Sequence, residues 1–101
     1  MMLDQGDFDA NLAAAAGADA SLRAELLDCF RDSLVSQIDL LARSRCDGNW
    51  QVAAQRLRGL ATSFHCAELT SLAEEALDGA PGDPVIVRKL SQFALDFTEK
   101  R

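Results

Sequence analysis

The fold is decided by the stretch ASLRAELLDCFRDSLVSQIDLLARSR, which runs from Ala20 to Arg45. Its large apolar residues recur at spacings of three or four positions, so they share one face of an α-helix. Asp19 or Ser21 can serve as the N-cap, because either side chain accepts hydrogen bonds from free backbone N–H groups. A long apolar stripe needs other helices to cover it, and the stretch therefore favours a helical bundle. The stripe consists of Leu27, Phe30, Leu34, Ile38 and Leu41.

Four further segments of the chain show helical periodicity. With the long stretch, they predict bundle helices over residues 20–45, 50–64, 67–78 and 84–98, and a short N-terminal helix over residues 8–16. The connections between the bundle helices are short, which favours antiparallel neighbours. We therefore expect one all-α domain over the whole chain: an antiparallel, up-down four-helix bundle with a short additional N-terminal helix.

Turn and cap residues give the predicted helix ends. Gly17 is expected to stop the short first helix, and Asn49 is expected to be the N-cap of the helix over residues 50–64. Gly79 can take the left-handed conformation that often follows a helix. Asp83 is then the expected N-cap of the last helix, with Pro84 in its first turn.

Composition and charge exclude several classes of function. The chain has 101 residues and a net charge of −6, which disfavours binding to nucleic acid or to an anionic membrane surface. No apolar run is long enough to span a bilayer, and the acidic N-terminus does not resemble a signal peptide. Three widely spaced cysteines and one histidine give no metal-ligand spacing, and no phosphate-cradling loop is present. We expect a cytoplasmic protein without a metal or a cofactor.

A second, non-core stripe lies on the helix predicted over residues 50–64. Gln55, Arg58, Gly59 and Thr62 are spaced i, i+3, i+4 and i+7, so they line one face turned away from the core. A glycine within an exposed helical face costs about 1 kcal/mol relative to alanine. One interpretation is that Gly59 leaves room for another molecule to approach residue 55, one turn away. The alternative is a surface glycine without a role.

The stretch AAQRLRGLATSFHCAEL, from Ala53 to Leu69, resembles the motif of histidine-containing phosphotransfer (HPt) domains. That motif is roughly His-x-Leu-Lys-Gly, followed by a glycine ten residues after the histidine and by a helix that begins A-x-L. The segments LRAELLDCFRDSLVSQIDLL and GNWQVAAQ also resemble the family's long second helix and the start of its histidine helix, so the resemblance covers nearly the whole chain. The matching residues are Leu57, Arg58 in place of the lysine, Gly59, Phe64, Ala67 and Leu69.

Two departures from the motif change the expected chemistry. Gln55 stands at the position of the phosphoryl-accepting histidine, and His65 stands at the glycine position. An amide nitrogen is not a nucleophile, because its lone pair is delocalised into the carbonyl, so the resemblance implies a non-enzymatic, degenerate HPt domain. His65 is expected to occupy a helix C-terminus at positive φ, and it stays a weaker alternative as a relocated phosphoacceptor or as a partner contact.

The resemblance also implies a docking face for signalling proteins. The family binds receiver domains around its histidine, which here corresponds to Gln55, Arg58, Gly59 and Thr62, with Arg56 and Ser63 at the margins. The expected partner is a response-regulator receiver domain or a histidine kinase, and the expected oligomeric state is a monomer. The arginines at 56 and 58, with Arg43 and Arg45 expected nearby, suit the acidic residues of a receiver active site.

Three alternatives stay open from the sequence. The arginines and their neighbours can form an ordinary solvated face without a partner. The chain can be an active phosphotransfer protein that carries a His-to-Gln substitution at position 55. It can also be a helical bundle with a structural or dimerisation role and no connection to phosphorelay.

Overall fold

The computed structural model describes Ala14, Gly17 and residues 19–100, with residues 98–100 described by their backbone alone. Within this part of the chain there are four helices and no strand, which confirms the all-α four-helix bundle. The short helix predicted over residues 8–16 lies outside the described residues, apart from Ala14. The helices are α1 (Ala20–Arg43), α2 (Asp47–Ser63), α3 (Ala67–Asp78) and α4 (Pro84–Lys100).

The helices form a ring in which each packs against two neighbours. Helix α1 contacts α2 and α4, and α3 contacts the same two helices from the other side. Phe30, in the middle of α1, lies against Phe97, near the end of α4, with ring centroids 5.1 Å apart. Further along α1, Ala42 shares a groove with Ser91, which comes earlier in α4, so the two helices run in opposite directions, as an up-down bundle requires.

The core is a continuous apolar cluster to which all four helices contribute. The predicted stripe of α1 is buried at Phe30, Leu34, Ile38 and Leu41, whereas Leu27 is half-buried at its edge. Trp50 and Cys66 are also fully buried, although the sequence pattern did not place them in the core. The other buried members are Ala53, Ala54, Leu57, Ala61, Leu69, Ala73, Ala76, Ile86, Leu90, Phe93 and Phe97.

Two of the predicted caps are confirmed. The Asp19 side chain accepts a hydrogen bond of 3.1 Å from the backbone N–H of Leu22, at the start of α1. The Asp83 side chain accepts one of 3.0 Å from Val85 N–H, at the start of α4. Both carboxylates lie at the N-terminus of a helix, where they satisfy free donors and face the positive end of the helix dipole.

The expected cap of α2 is wrong. The helix begins at Asp47, three residues earlier than predicted, and Cys46 is its N-cap without a side-chain hydrogen bond. Asn49 therefore lies inside the first turn. Asp47 explains the earlier start, because a carboxylate in the first turn is stabilised by the helix dipole. Gly48 is tolerated there despite its low helix propensity.

The expected turn after α3 is also wrong in detail. Gly79 has φ −91° and ψ −169°, an extended conformation, and not the left-handed one. The left-handed residue is Gly82, with φ +84°, immediately before the Asp83 cap. The chain therefore reverses next to the start of α4, and not at the end of α3.

Helix α1 ends two residues before its predicted end. Ser44 leaves the helix with ψ 132°, and its N–H donates to the Leu41 carbonyl at 3.1 Å. Its buried hydroxyl donates to the Leu40 carbonyl at 2.7 Å. The serine thus satisfies two carbonyls at the C-terminus of α1 that have no partner within the helix.

Two side chains at the start of α2 hold the end of α3. The indole Nε1–H of Trp50 donates to the Ala76 carbonyl at 2.7 Å, in the interior. The amide of the next residue, Gln51, donates to the Leu77 carbonyl at 3.1 Å. Both acceptors are in the last turn of α3, so the side chains of α2 add to the backbone cap that Gly79 N–H gives the Ala76 carbonyl at 3.0 Å.

None of the helices in the described part of the chain is long and apolar enough to cross a membrane.

Candidate docking site

The outer face of α2 presents the residues that the sequence singled out. Gln55, Arg56, Arg58 and Gly59 are exposed, and Leu57 between them is fully buried. One turn further on, Thr62 and Ser63 are exposed as well. Helical geometry explains this division: Gln55 and Gly59 are about 200° around the helix from Leu57, and Arg56 and Arg58 lie about 100° to either side of it.

Gly59 lies on an open part of this face. A Cβ atom added to it would meet no atom within 4 Å beyond its own helix. The bundle therefore does not require glycine at this position, and its helix propensity disfavours glycine there. The missing side chain leaves a lower surface next to Gln55, one turn away.

The two arginines beside Gln55 point to opposite sides of α2. Arg58 lies on the α3 side, where its Nε is 4.0 Å from a carboxylate oxygen of Glu74. Arg56 lies on the α1 side and lines a shallow cleft between α1 and α2. The structure thus separates two cations that the sequence placed in one basic patch.

The cleft between α1 and α2, called the α1–α2 cleft below, combines apolar and basic residues. Arg43 is beside it, as expected, and forms an ion pair of 3.0 Å with Asp39. Arg45 is exposed but does not line the cleft. The apolar floor of the cleft is not apparent from the sequence, because an exposed Leu or Val cannot be distinguished from a core residue by type alone. The lining residues are Leu40, Arg43, Ser44, Asn49, Val52, Ala53 and Arg56.

His65 occupies the turn between α2 and α3. Its φ of +55° makes it the one non-glycine residue of the described chain with positive φ. Its N–H donates to the Thr62 carbonyl at 3.2 Å, and Cys66 N–H donates to the Ala61 carbonyl at 2.8 Å. These two bonds form a Schellman motif with His65 at the left-handed position, which confirms its expected role as a turn residue.

Replacing His65 with glycine is expected to stabilise the protein by about 1 kcal/mol. A side chain in the left-handed region costs about 1–2 kcal/mol, and part of this gain is lost to the greater freedom of glycine in the unfolded chain. Urea unfolding followed by circular dichroism measures the change. His65→Ala is the control, since it keeps the strain and should give no gain. A destabilised glycine variant would show that the imidazole makes a favourable contact.

The chemistry available at this face is binding. The Gln55 carboxamide can donate and accept hydrogen bonds but has no nucleophilic nitrogen. His65, ten residues further along the chain, is at the end of the helix, about 15 Å away along its axis. In the described part of the chain, no group of three or more His, Cys, Asp or Glu residues is placed to hold a metal ion.

No protein-family model, no curated protein and no solved structure matches the chain.

Proposed function

We propose that the protein is a binding module of two-component signalling. In this proposal it is a degenerate HPt domain that docks a response-regulator receiver domain or a histidine kinase without accepting phosphate at Gln55. The proposal rests on the resemblance of Ala53–Leu69 to the HPt motif. The observation that supports it best is the open outer face of α2, where an exposed amide stands one turn from a glycine that the bundle does not need.

The charges around this face are compatible with such a partner. The protein is acidic overall, with a net charge of −6, yet α2 carries no carboxylate after Asp47. Two arginines project from the same helix on either side of Gln55. Receiver active sites carry clustered acidic residues, so an acidic partner meets a locally favourable potential on this helix and repulsion elsewhere.

Titration calorimetry with purified receiver domains and kinases of the source organism tests the proposal. We expect binding to at least one of them, and Gly59→Leu should weaken it at least about tenfold, or about 1.4 kcal/mol, by filling the space beside Gln55. The variant should remain folded, because the new side chain points into open space. Ser91→Leu, an exposed site on α4, is the matched control.

The possible outcomes test the signalling role and the binding face on α2 separately. Absence of binding to every receiver and kinase would reject the signalling role. Binding that tolerates Gly59→Leu as well as it tolerates Ser91→Leu would keep the role and reject this face of α2.

A further inference from the structure

The α3 side of the docking face is acidic and its cation is already paired. Helix α3 carries four carboxylates, Glu68, Glu74, Glu75 and Asp78, and no basic residue. Arg58 is 4.0 Å from Glu74, and both side chains are about half exposed, at 53% and 56%. A carboxylate of a partner on this side therefore competes with Glu74 for Arg58 and approaches a like charge. Glu75 is turned to α4, where Lys89 pairs with it at 3.0 Å.

The α1 side of the face has the opposite character. No carboxylate lines the α1–α2 cleft. Arg56 forms no ion pair within the described part of the chain, whereas Arg43 is engaged by Asp39 at 3.0 Å. Arg56 is consequently the cation of α2 that a partner reaches without breaking an existing pair.

Apolar surface accompanies this cation. Val52 is 47% exposed and Leu40 is 38% exposed, and both line the cleft beside Arg56. Val52 precedes Arg56 by four residues, so the two side chains are neighbours on α2. An apolar contact next to a charge gives affinity together with orientation, which a charge alone does not provide.

We infer that a receiver domain on this protein is held from the α1 side, through Arg56 and the α1–α2 cleft, and not through Arg58. This inference rests on the proposed function. It assigns the partner's carboxylate to Arg56, whereas the resemblance to the HPt motif points to Arg58 as the basic residue. The matching surface of the partner carries a carboxylate beside an apolar side chain. The carboxylate pairs with Arg56, and the apolar side chain covers Val52 and Leu40.

Matched charge reversals of the two arginines test the inference. Arg56→Glu and Arg58→Glu change the net charge equally, so the long-range repulsion of an acidic receiver is the same in both variants. The difference between them reports the local contact. We expect Arg56→Glu to weaken binding of the receiver about tenfold or more, and Arg58→Glu to weaken it less than about threefold.

A matched pair of apolar variants tests the cleft separately. Val52→Asp should weaken binding by about tenfold or more, because it places a carboxylate against the acidic partner and removes the apolar contact. Val35→Asp is the control, since Val35 is 53% exposed and lines a groove between α1 and α4 instead. Chemical-shift changes in the ¹⁵N-labelled protein, titrated with the same receiver, should include the Leu40 and Asn49 amides.

Each result supports or overturns the inference. A larger loss for Arg58→Glu than for Arg56→Glu overturns it, as do unaffected binding in Val52→Asp and shift changes confined to Gly59–Ser63. If these occur while Gly59→Leu still weakens binding, the proposed function stands and only the orientation is wrong. Absence of binding to any receiver rejects the function and the orientation together.

Discussion

The variant Gln55→His is expected to accept a phosphoryl group from a phosphorylated receiver domain, whereas the protein with glutamine is not. In that step the bond between phosphorus and the aspartyl oxygen of the receiver breaks. The unprotonated nitrogen of the imidazole forms the new bond to phosphorus with its lone pair, the other ring nitrogen keeps its proton, and the receiver recovers a free carboxylate. The helix already exposes residue 55 next to Gly59, so the substitution supplies the missing nucleophile without a change in the fold.

Labelled phosphate followed on both proteins measures this transfer. We expect acid-labile, base-stable label on the Gln55→His variant and none on the unsubstituted protein. The double variant Gln55→His with Gly59→Leu is the control, because it keeps the imidazole and blocks the approach of the receiver. Label on the unsubstituted protein that disappears in His65→Ala would instead assign the chemistry to His65. A Gln55→His variant that stays unlabelled beside a bound phosphoreceiver would contradict the proposed geometry of the face.

The variant Trp50→Ala should lose about 3–5 kcal/mol of unfolding free energy. Trp50 is fully buried, and its indole donates to the Ala76 carbonyl at 2.7 Å. The loss therefore combines a large cavity with an unmade hydrogen bond at the end of α3. Small domains have about 5–15 kcal/mol in total, so this single change removes a large share of the stability.

Equilibrium urea unfolding separates the two parts of this loss. Trp50→Phe keeps most of the ring and removes the donor, and we expect it to cost less than the alanine variant. The Ala76 carbonyl keeps its bond from Gly79 N–H, at 3.0 Å, which limits the cost of the lost indole donor. Val52→Ala, at an exposed position two residues away, should change the stability by no more than about 0.5 kcal/mol. Equal losses for Trp50→Phe and Trp50→Ala would show that the hydrogen bond outweighs the packing.

Features of the fold that depend on one local rule could be predicted from the sequence. The periodic spacing of Phe30, Leu34, Ile38 and Leu41 identified a buried face, because helical phase depends only on sequence. Asp19 and Asp83 were recognisable as caps for the same reason. The position of His65 at positive φ followed from the resemblance to a motif that has glycine there.

Features that depend on contacts between helices could not be predicted from the sequence. Asn49 is a better N-cap residue than Cys46, yet the helix starts earlier and buries Trp50 under α3. Arg56 and Arg58 are two residues apart, so helical phase alone places them on opposite sides of α2. Which neighbour each arginine meets, Glu74 for Arg58 and the α1–α2 cleft for Arg56, depends on how the helices pack. The apolar floor of the α1–α2 cleft could not be predicted for a similar reason, since residues of two different helices form it.

The hairpin of α2 and α3 is fastened at both of its ends. At one end the Schellman motif around His65 joins the helices, and at the other Trp50 and Gln51 bind the last carbonyls of α3. These contacts oppose separation of the two helices, because neither helix can rotate about the turn without breaking the hydrogen bonds of Trp50 and Gln51 at the far end. Helices α2 and α3 are therefore expected to keep their relative positions when a partner binds to the outer face of α2. Binding of a partner there requires little ordering of the backbone, so little binding free energy is lost to conformational entropy.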